Sequence, residues 1–396
     1  MDPLNTRREF LGTTLISATS ATAAIHSTAS AAEPQDAQAK TSQTQSVEWR
    51  NKQPDMAYRR FGRSGLMISE VVSGGDPIAS NNYEQLNLAL EMGLNYLDMA
   101  PAYGNGDCEI AYGKFLGGSA KRQKVFLQTK VSAYGNVRNR LYHDIFQGLP
   151  AEKQNAIMRR IEDMRAGSLV EKPGYYLTYF PGQPNQFAGS YLCSAMMPDY
   201  AHLVEDSPEF KKCITDSLEG SLRRVGTDHF DFLMCPHGAN LAEELDNPHI
   251  YETFLELKKQ GKVRFLGVTS HNDPAGVLRR ATELGHYDGV QMAYNVINGG
   301  YLDQVIVNAY SKDVGMIAMK TAHAVATHHK ALQPIPQWRI DKVNKIVPGD
   351  MKPALKAYLW VLQNPHIAAV NSNLWDETFV RENLALAGKK VAFQSA

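Results

Sequence analysis

Four side chains at the ends of strand-like segments could together deliver a proton to a carbonyl oxygen. Tyr103 carries a phenol, which at a pKa of about 10 keeps its proton at neutral pH and can donate it. Lys130 offers an ammonium that stabilises the phenolate left behind and draws its pKa toward a useful value. Asp98 offers a carboxylate that holds this ammonium charged and aimed. His237 offers an imidazole that can hydrogen-bond the carbonyl and help polarise it. Asp98 closes the run Tyr96-Leu97-Asp98-Met99-Ala100, and Tyr103 follows in the next loop. Lys130 ends Leu127-Gln128-Thr129-Lys130, and His237 ends Met234-Cys235-Pro236-His237.

Residues so far apart in the chain meet only if the fold gathers strand ends. Apolar strand-like runs at 70–75, 95–99, 125–131, 229–235, 263–269, 289–294, 315–320 and 367–371 alternate with helical stretches. Those stretches are 82–93, 108–117, 208–224, 250–260, 273–284, 302–313, 351–363 and 376–387. The strands are apolar nearly throughout, as suits strands buried on both faces of a parallel sheet. Repeated strand–helix units of this number predict an α/β fold of the (β/α)8 TIM barrel type. The C-terminal ends of strands 2, 3 and 4 would then bring Asp98, Tyr103, Lys130 and His237 to one mouth. No G-x-G-x-x-G stands between the first strand and helix, which argues against a Rossmann domain. An N-terminal β-hairpin is expected from Tyr58–Phe61 and Leu66–Ser69, joined by Gly62-Arg63-Ser64-Gly65. A long insertion after strand 3, residues 133–206, exceeds any ordinary βα loop. It holds one predicted helix, Glu152 to Arg165, and the aromatic run Tyr175 to Phe180. Its place at the barrel mouth suggests a lid or a wall of the substrate pocket.

The chain has 396 residues, with 41 basic and 41 acidic side chains, so no basic excess points to nucleic acid. No apolar run reaches the roughly 18 residues of a membrane-spanning helix. The N-terminus reads differently from the rest. Arg7-Arg8 precede Phe10-Leu11, a weakly apolar Ala/Ser/Thr stretch follows, and Ala29-Ser30-Ala31 offers a cleavage site. This order resembles a Tat signal over residues 1–31, which would make the Tat export machinery a partner and the periplasm the destination. Residues 32–55 are expected to be a disordered linker, and 56–396 the barrel. Export permits a disulfide, and Cys193 with Cys213 is the pair considered.

Asp98-Met99-Ala100-Pro101-Ala102-Tyr103-Gly104, with Glu109 and Gly113 beyond, resembles the D-x-A-x-x-Y-G…E…G motif of the aldo-keto reductases. The resemblance runs over roughly residues 57 to 388, apart from the insertion. It implies that Asp98, Tyr103, Lys130 and His237 form the catalytic tetrad of a nicotinamide-dependent enzyme acting on a small-molecule carbonyl; a wide barrel mouth, the aromatic-rich insertion and export suggest a sugar-like or small polar one. It further implies that Ser270 and Asn272, after strand 5, and Gln291, on strand 6, hold the nicotinamide amide. Strand 7 resembles the branch ending in Met-Lys, with Lys320 toward the pyrophosphate and no aromatic ring to stack on the nicotinamide. Asn373, Glu382 and Asn383 match the adenosine-binding stretch. NADP is the cofactor the family implies. The places where NADP-selecting members carry a cation hold Phe379 and Asn373 here, which leaves NAD open.

Two other functions fit parts of this pattern. A cofactor-binding regulatory or interaction protein on the same fold would show little turnover. A metal-dependent barrel enzyme would use His323, His328 and His329, but their spacing lacks an HExxH-type frame, and no metal is expected.

Overall fold

The computed structural model describes residues 46–327 and 334–394. Residues 1–45, and with them the expected signal and most of the expected linker, lie outside the described residues, as do His328 and His329. Eight parallel strands close into a barrel: β1 (Val71–Gly74), β2 (Tyr96–Asp98), β3 (Phe126–Lys130), β4 (Phe230–Met234), β5 (Val263–Ser270), β6 (Gly289–Ala293), β7 (Gly315–Met319) and β8 (Ala369–Asn373). β8 returns to β1 through the register Val370↔Val71 to Asn373↔Gly74. Strand side chains alternate between the barrel axis and the helical ring, so parity decides what each residue meets. Val72, Tyr96, Phe126, Phe232, Met234, Ile317 and Ala369 pack together inside. Their parity points Gly74, Asp98, Gln128, Lys130, Gln291, Met319 and Asn371 inward as well.

The expected hairpin forms, with Tyr58↔Ser69 and Arg60↔Met67 paired antiparallel. Its Phe61 enters the bottom of the barrel, its ring centroid 4.8 Å from that of Phe232 and 5.9 Å from that of Tyr96. Glycines on β6 and β7 leave the room. A Cβ on Gly315 would lie 2.4 Å from Phe61 Cδ2, and one on Gly289 2.7 Å from Phe61 Cζ.

The linker expected over 32–55 ends earlier than that. Glu48–Trp49 adds a parallel strand to the hairpin. Arg50 donates to the Val125 carbonyl at 2.6 Å, and Arg264 bridges Glu48 and Asp231 at 2.5 Å each. The cause lies under the barrel: Asp231 is fully buried, and a buried carboxylate needs cations. Arg50, Arg122 and Arg264 supply them.

The predicted helices appear with their ends moved by a few residues, while Gln337–Ile346, in the β7–β8 connection, is an additional one. β8 lies two residues beyond its expected 367–371, which places Asn373 on the strand. The insertion holds three long helices rather than one: Tyr134–Gln147, Ala151–Gly167 and Gln183–Val204. Gly135 and two asparagines obscure the first in the sequence, and Pro184, Gly189 and Pro198 obscure the third. Polar ties fasten the insertion to the C-terminal face. Tyr175 OH donates to Asp273 and accepts from the Ala275 amide at 2.9 Å; Gln183 Nε2 donates to Asn272 Oδ1 at 2.7 Å; Asn295 Nδ2 donates to Tyr179 OH at 2.9 Å. All four cysteines are free, so the Cys193–Cys213 disulfide does not form; Cys193 faces Asn139 instead. No helix among the described residues is long and apolar enough to cross a membrane.

Candidate active site

The motif around Tyr103 is built by its own neighbours. After β2 the chain turns through Gly104, Asn105 and Gly106, all at positive φ, before the helix Asp107–Leu116 begins. Gly106 is required twice over, since at φ +92 a Cβ would also lie 2.7 Å from Arg224 Cδ. Asp107 takes the Ser80 amide at 2.9 Å and the Ser80 hydroxyl, fixing this loop to the one after β1. Buried Glu109 accepts from Thr129 Oγ1 at 2.7 Å and from Arg224 Nε at 2.6 Å, which locks the Tyr103 helix to β3 and so to Lys130. Gly113 packs where a Cβ would lie 2.6 Å from the Val225 carbonyl.

The four side chains meet at the C-terminal mouth. Lys130 Nζ is bound to Asp98 Oδ1 and donates to the Met99 carbonyl at 2.9 Å. The same ammonium stands 4.6 Å from the centroid of the Tyr103 ring, and the His237 ring meets that ring edge-on at 5.8 Å. Lys130 therefore faces the phenol through its π face and bonds elsewhere. Loss of solvation, then the Asp98 carboxylate, pushes the Tyr103 phenol well above its ordinary range, so it is a protonated donor. Desolvation, then the Lys130 and Lys320 charges, depresses His237 well below the usual imidazole range. Its Nδ1 lies 2.8 Å from Ser132 Oγ. With that hydroxyl donating, the neutral ring keeps its proton on Nε2, free to donate to a carbonyl oxygen.

His271 is depressed in the same way, chiefly by desolvation and then by Lys320. Both imidazoles are thus neutral in the folded chain, whereas in the unfolded chain they take up protons below about pH 6.5. Their contribution to stability is full above that pH and is lost as the pH falls. We expect His237→Gln with His271→Gln to flatten the fall in thermal midpoint between about pH 6.5 and pH 5. A slope equal to wild type in scanning calorimetry would remove these two rings as its cause.

Sequence reasoning overlooked how completely Asp98 is enclosed. Besides Lys130, it accepts from Gln128 Nε2 at 2.5 Å, Gln291 Nε2 at 3.0 Å and Asn371 Nδ2 at 2.6 Å. Tyr103 and Asp98 border a hollow also lined by Gly74, Gly75, Gln291, Met319, Lys320 and Asn371. It shares Ala322, His323, Tyr358 and Asn373 with a second hollow, which reaches Lys352, Trp375, Phe379, Glu382 and Asn383. The two adjoin through these shared residues and together make up the cleft.

Most of the residues expected at the cofactor lie along it: Gln291 and Lys320 in the first hollow, Asn373 in both, Glu382 and Asn383 in the second. Lys320 adopts φ +58 and sets its ammonium 5.6 Å from the Phe180 ring centroid. Ser270 and Asn272 are not brought there. Parity turns them outward, where Ser270 Oγ donates to the Ala239 carbonyl at 2.8 Å and Asn272 Nδ2 donates to Asn240 Oδ1 at 2.5 Å. His271 between them lines the cleft instead. Of the histidines weighed for a metal, only His323 is described, and no group of metal-ligating residues occurs among the described residues.

Comparison with known proteins agrees with this geometry. The model of the aldo/keto reductase family matches residues 73–177 and 193–369, well over half the chain. The chain belongs to the aldo/keto reductase family. The match contains Asp98, Tyr103, Lys130 and His237 and skips residues 178–192, inside the insertion; Asn373, Glu382 and Asn383 lie beyond it. The aldo-keto reductase AMT2 of Alternaria alternata is 24% identical over 226 residues, 54% of this chain. The chain spans about half the length of that relative, 49%. Among solved structures, the holo form of a Bacillus halodurans aldo-keto reductase superposes with a TM-score of 0.54 at 19% identity, covering 85% of this chain and 92% of that one. Its apo form gives 0.52 at 17% identity, covering 85% and 91%. These structures share the barrel fold. Family membership implies an oxidoreductase, and the family as a whole uses nicotinamide nucleotides.

Proposed function

We propose that this aldo/keto reductase interconverts a carbonyl and an alcohol, with Tyr103 as the general acid and a nicotinamide dinucleotide laid along the cleft. One observation carries the reading: Tyr103, beside Lys130 and His237, borders a hollow that adjoins a second one lined by Trp375, Phe379, Glu382 and Asn383. The residues present fit such a group. Asn371 Oδ1 is buried on the cleft floor without a hydrogen-bond partner, an acceptor suited to a carboxamide N–H. Beside it, a Cβ on Gly74 would lie 2.6 Å from that oxygen, so glycine keeps the floor open. The far hollow offers the indole of Trp375 and the ring of Phe379 to a purine, with Glu382 and Asn383 for polar contacts.

When bound, the reduced nicotinamide supplies hydride to the substrate carbon. Tyr103 gives its proton to the carbonyl oxygen, and His237 Nε2–H shares that oxygen. The Lys130 charge over the ring stabilises the phenolate as it forms, while Asp98 keeps Lys130 in place. In the reverse direction the phenolate takes the proton from the alcohol. We read the substrate as a small polar or sugar-like carbonyl, with the insertion as one wall of its pocket through Phe180, which stands edge-on to His271 at 5.5 Å.

The adenosine end decides between nucleotides. NADP is what the family implies, but Phe379 and Asn373 carry no charge, and the Lys352 ammonium is held by Glu382 at 2.6 and 2.8 Å. That arrangement favours NAD(H), because a 2′-phosphate would meet a carboxylate and an already neutralised cation. We further propose, from the resemblance of residues 1–31 to a Tat signal, that the folded chain is carried to the periplasm.

Titration with NADH and NADPH should quench tryptophan fluorescence through Trp375, with NADH binding the tighter of the two. Mass analysis of the purified chain should find a nicotinamide nucleotide. No quenching and no copurifying nucleotide would defeat the cofactor reading. Tight nucleotide binding with no reduction of any aldehyde or ketone in a broad panel would favour the regulatory alternative.

A further inference from the structure

Gln128 lies two residues before Lys130 on β3, so both project toward the barrel axis. It is fully buried and does not line the cleft. Each of its amide hydrogens has a defined acceptor: Nε2 donates to Asp98 Oδ1 at 2.5 Å and to Gln291 Oε1 at 2.6 Å. Its own carbonyl accepts from Tyr96 OH at 2.7 Å, and Tyr96 is buried beside it on β2. The Asp98 carboxylate can only accept, so the amide nitrogen of Gln128 faces it and Oε1 is left to accept from Tyr96. A polar chain thus runs from Tyr96 through Gln128 to Asp98, inside strands otherwise packed with Phe61, Phe126 and Phe232. Burying this much polar surface is costly unless every group is satisfied, and each group of Gln128 is.

We propose that Gln128 is a positioning residue for the proton transfer: braced by Tyr96, its carboxamide holds the Asp98 carboxylate and the Gln291 amide in the orientations that aim Lys130 at Tyr103. This rests on the reading of Tyr103 as the general acid. Asp98 divides its lone pairs among Lys130, Gln128, Gln291 and Asn371. Removing the Gln128 donor lets the carboxylate turn and leaves more of its negative charge uncompensated near the phenol. The charged and titratable groups facing Tyr103 are Asp98 from β2, Asp76 from the loop after β1, Cys108 and Tyr112 from the helix after β2, Lys130 from β3 and His237 beyond β4. Of these Gln128 bonds Asp98 directly, and it reaches the same carboxylate a second time through Gln291.

The test compares Gln128→Met, similar in shape but unable to donate, with Tyr96→Phe, which removes only the brace. Both are assayed in the full chain for reduction and for alcohol oxidation across pH. Gln128→Met should lower kcat by about tenfold or more while KM changes by less than about twofold. It should also move the rising limb of the oxidation profile to higher pH, because the phenol becomes harder to ionise. Tyr96→Phe should give a smaller change of the same sign, and adding it to Gln128→Met should change nothing further. Should Gln128→Met fail to fold, Tyr96→Phe and Gln128→Asn carry the same comparison. An unshifted pH profile with kcat near wild type overturns the proposal alone. A wild-type chain with no turnover overturns the catalytic reading and this proposal with it.

Discussion

Tyr103→Phe should lower kcat by about 10²–10⁴-fold while leaving nucleotide affinity within about twofold of wild type. The change deletes one oxygen and nothing else that the fold relies on. The Tyr103 hydroxyl makes no hydrogen bond among the described residues, whereas its ring packs against Lys130 and His237, and phenylalanine keeps that ring. Turnover should therefore collapse without loss of stability. Stopped-flow reduction of an aldehyde, paired with nucleotide titration, measures both halves. Rates near wild type would take the phenol out of the reaction and leave His237 as the proton donor to examine.

Asp98→Ala should be the most destabilising single change at the site, by about 3–5 kcal/mol. The Lys130 ammonium, 1% exposed, would be left in the interior with the Met99 carbonyl alone. The amides of Gln128, Gln291 and Asn371 would lose their common acceptor. Asp98→Asn should cost less, since it keeps the shape and one acceptor oxygen. Urea unfolding of the two variants against Lys130→Met separates the causes. If Lys130→Met restores stability to Asp98→Ala, the unpaired cation is the source; if it does not, the orphaned amides are.

The barrel and its tetrad were legible because their signals do not depend on tertiary detail. Apolar runs separated by amphipathic ones count the strands, and each reactive side chain closes a run, so misplacing a boundary by a residue or two leaves it at the same rim. What depends on parity was not legible. Ser270 and Asn272 look suited to an amide, but the alternation set by Gly267, Thr269 and His271 turns them away from the axis. Gln128 did leave a trace, as a carboxamide in the middle of a strand, two positions before Lys130. Its partners Tyr96 and Asp98 sit on β2 and Gln291 on β6, so only the closed barrel reveals the network. The insertion hides its first and third helices behind Gly and Pro, and those helices pack against one another and against the helix that follows the insertion, which local propensity does not reveal.

Phe61, seated in the space left by Gly289 and Gly315, corks the barrel from below. A stoppered tube has a single doorway. Whatever lies deepest along the floor must then arrive before the molecule that sits above it and depart after it, so product-inhibition patterns should report a compulsory order of entry and exit.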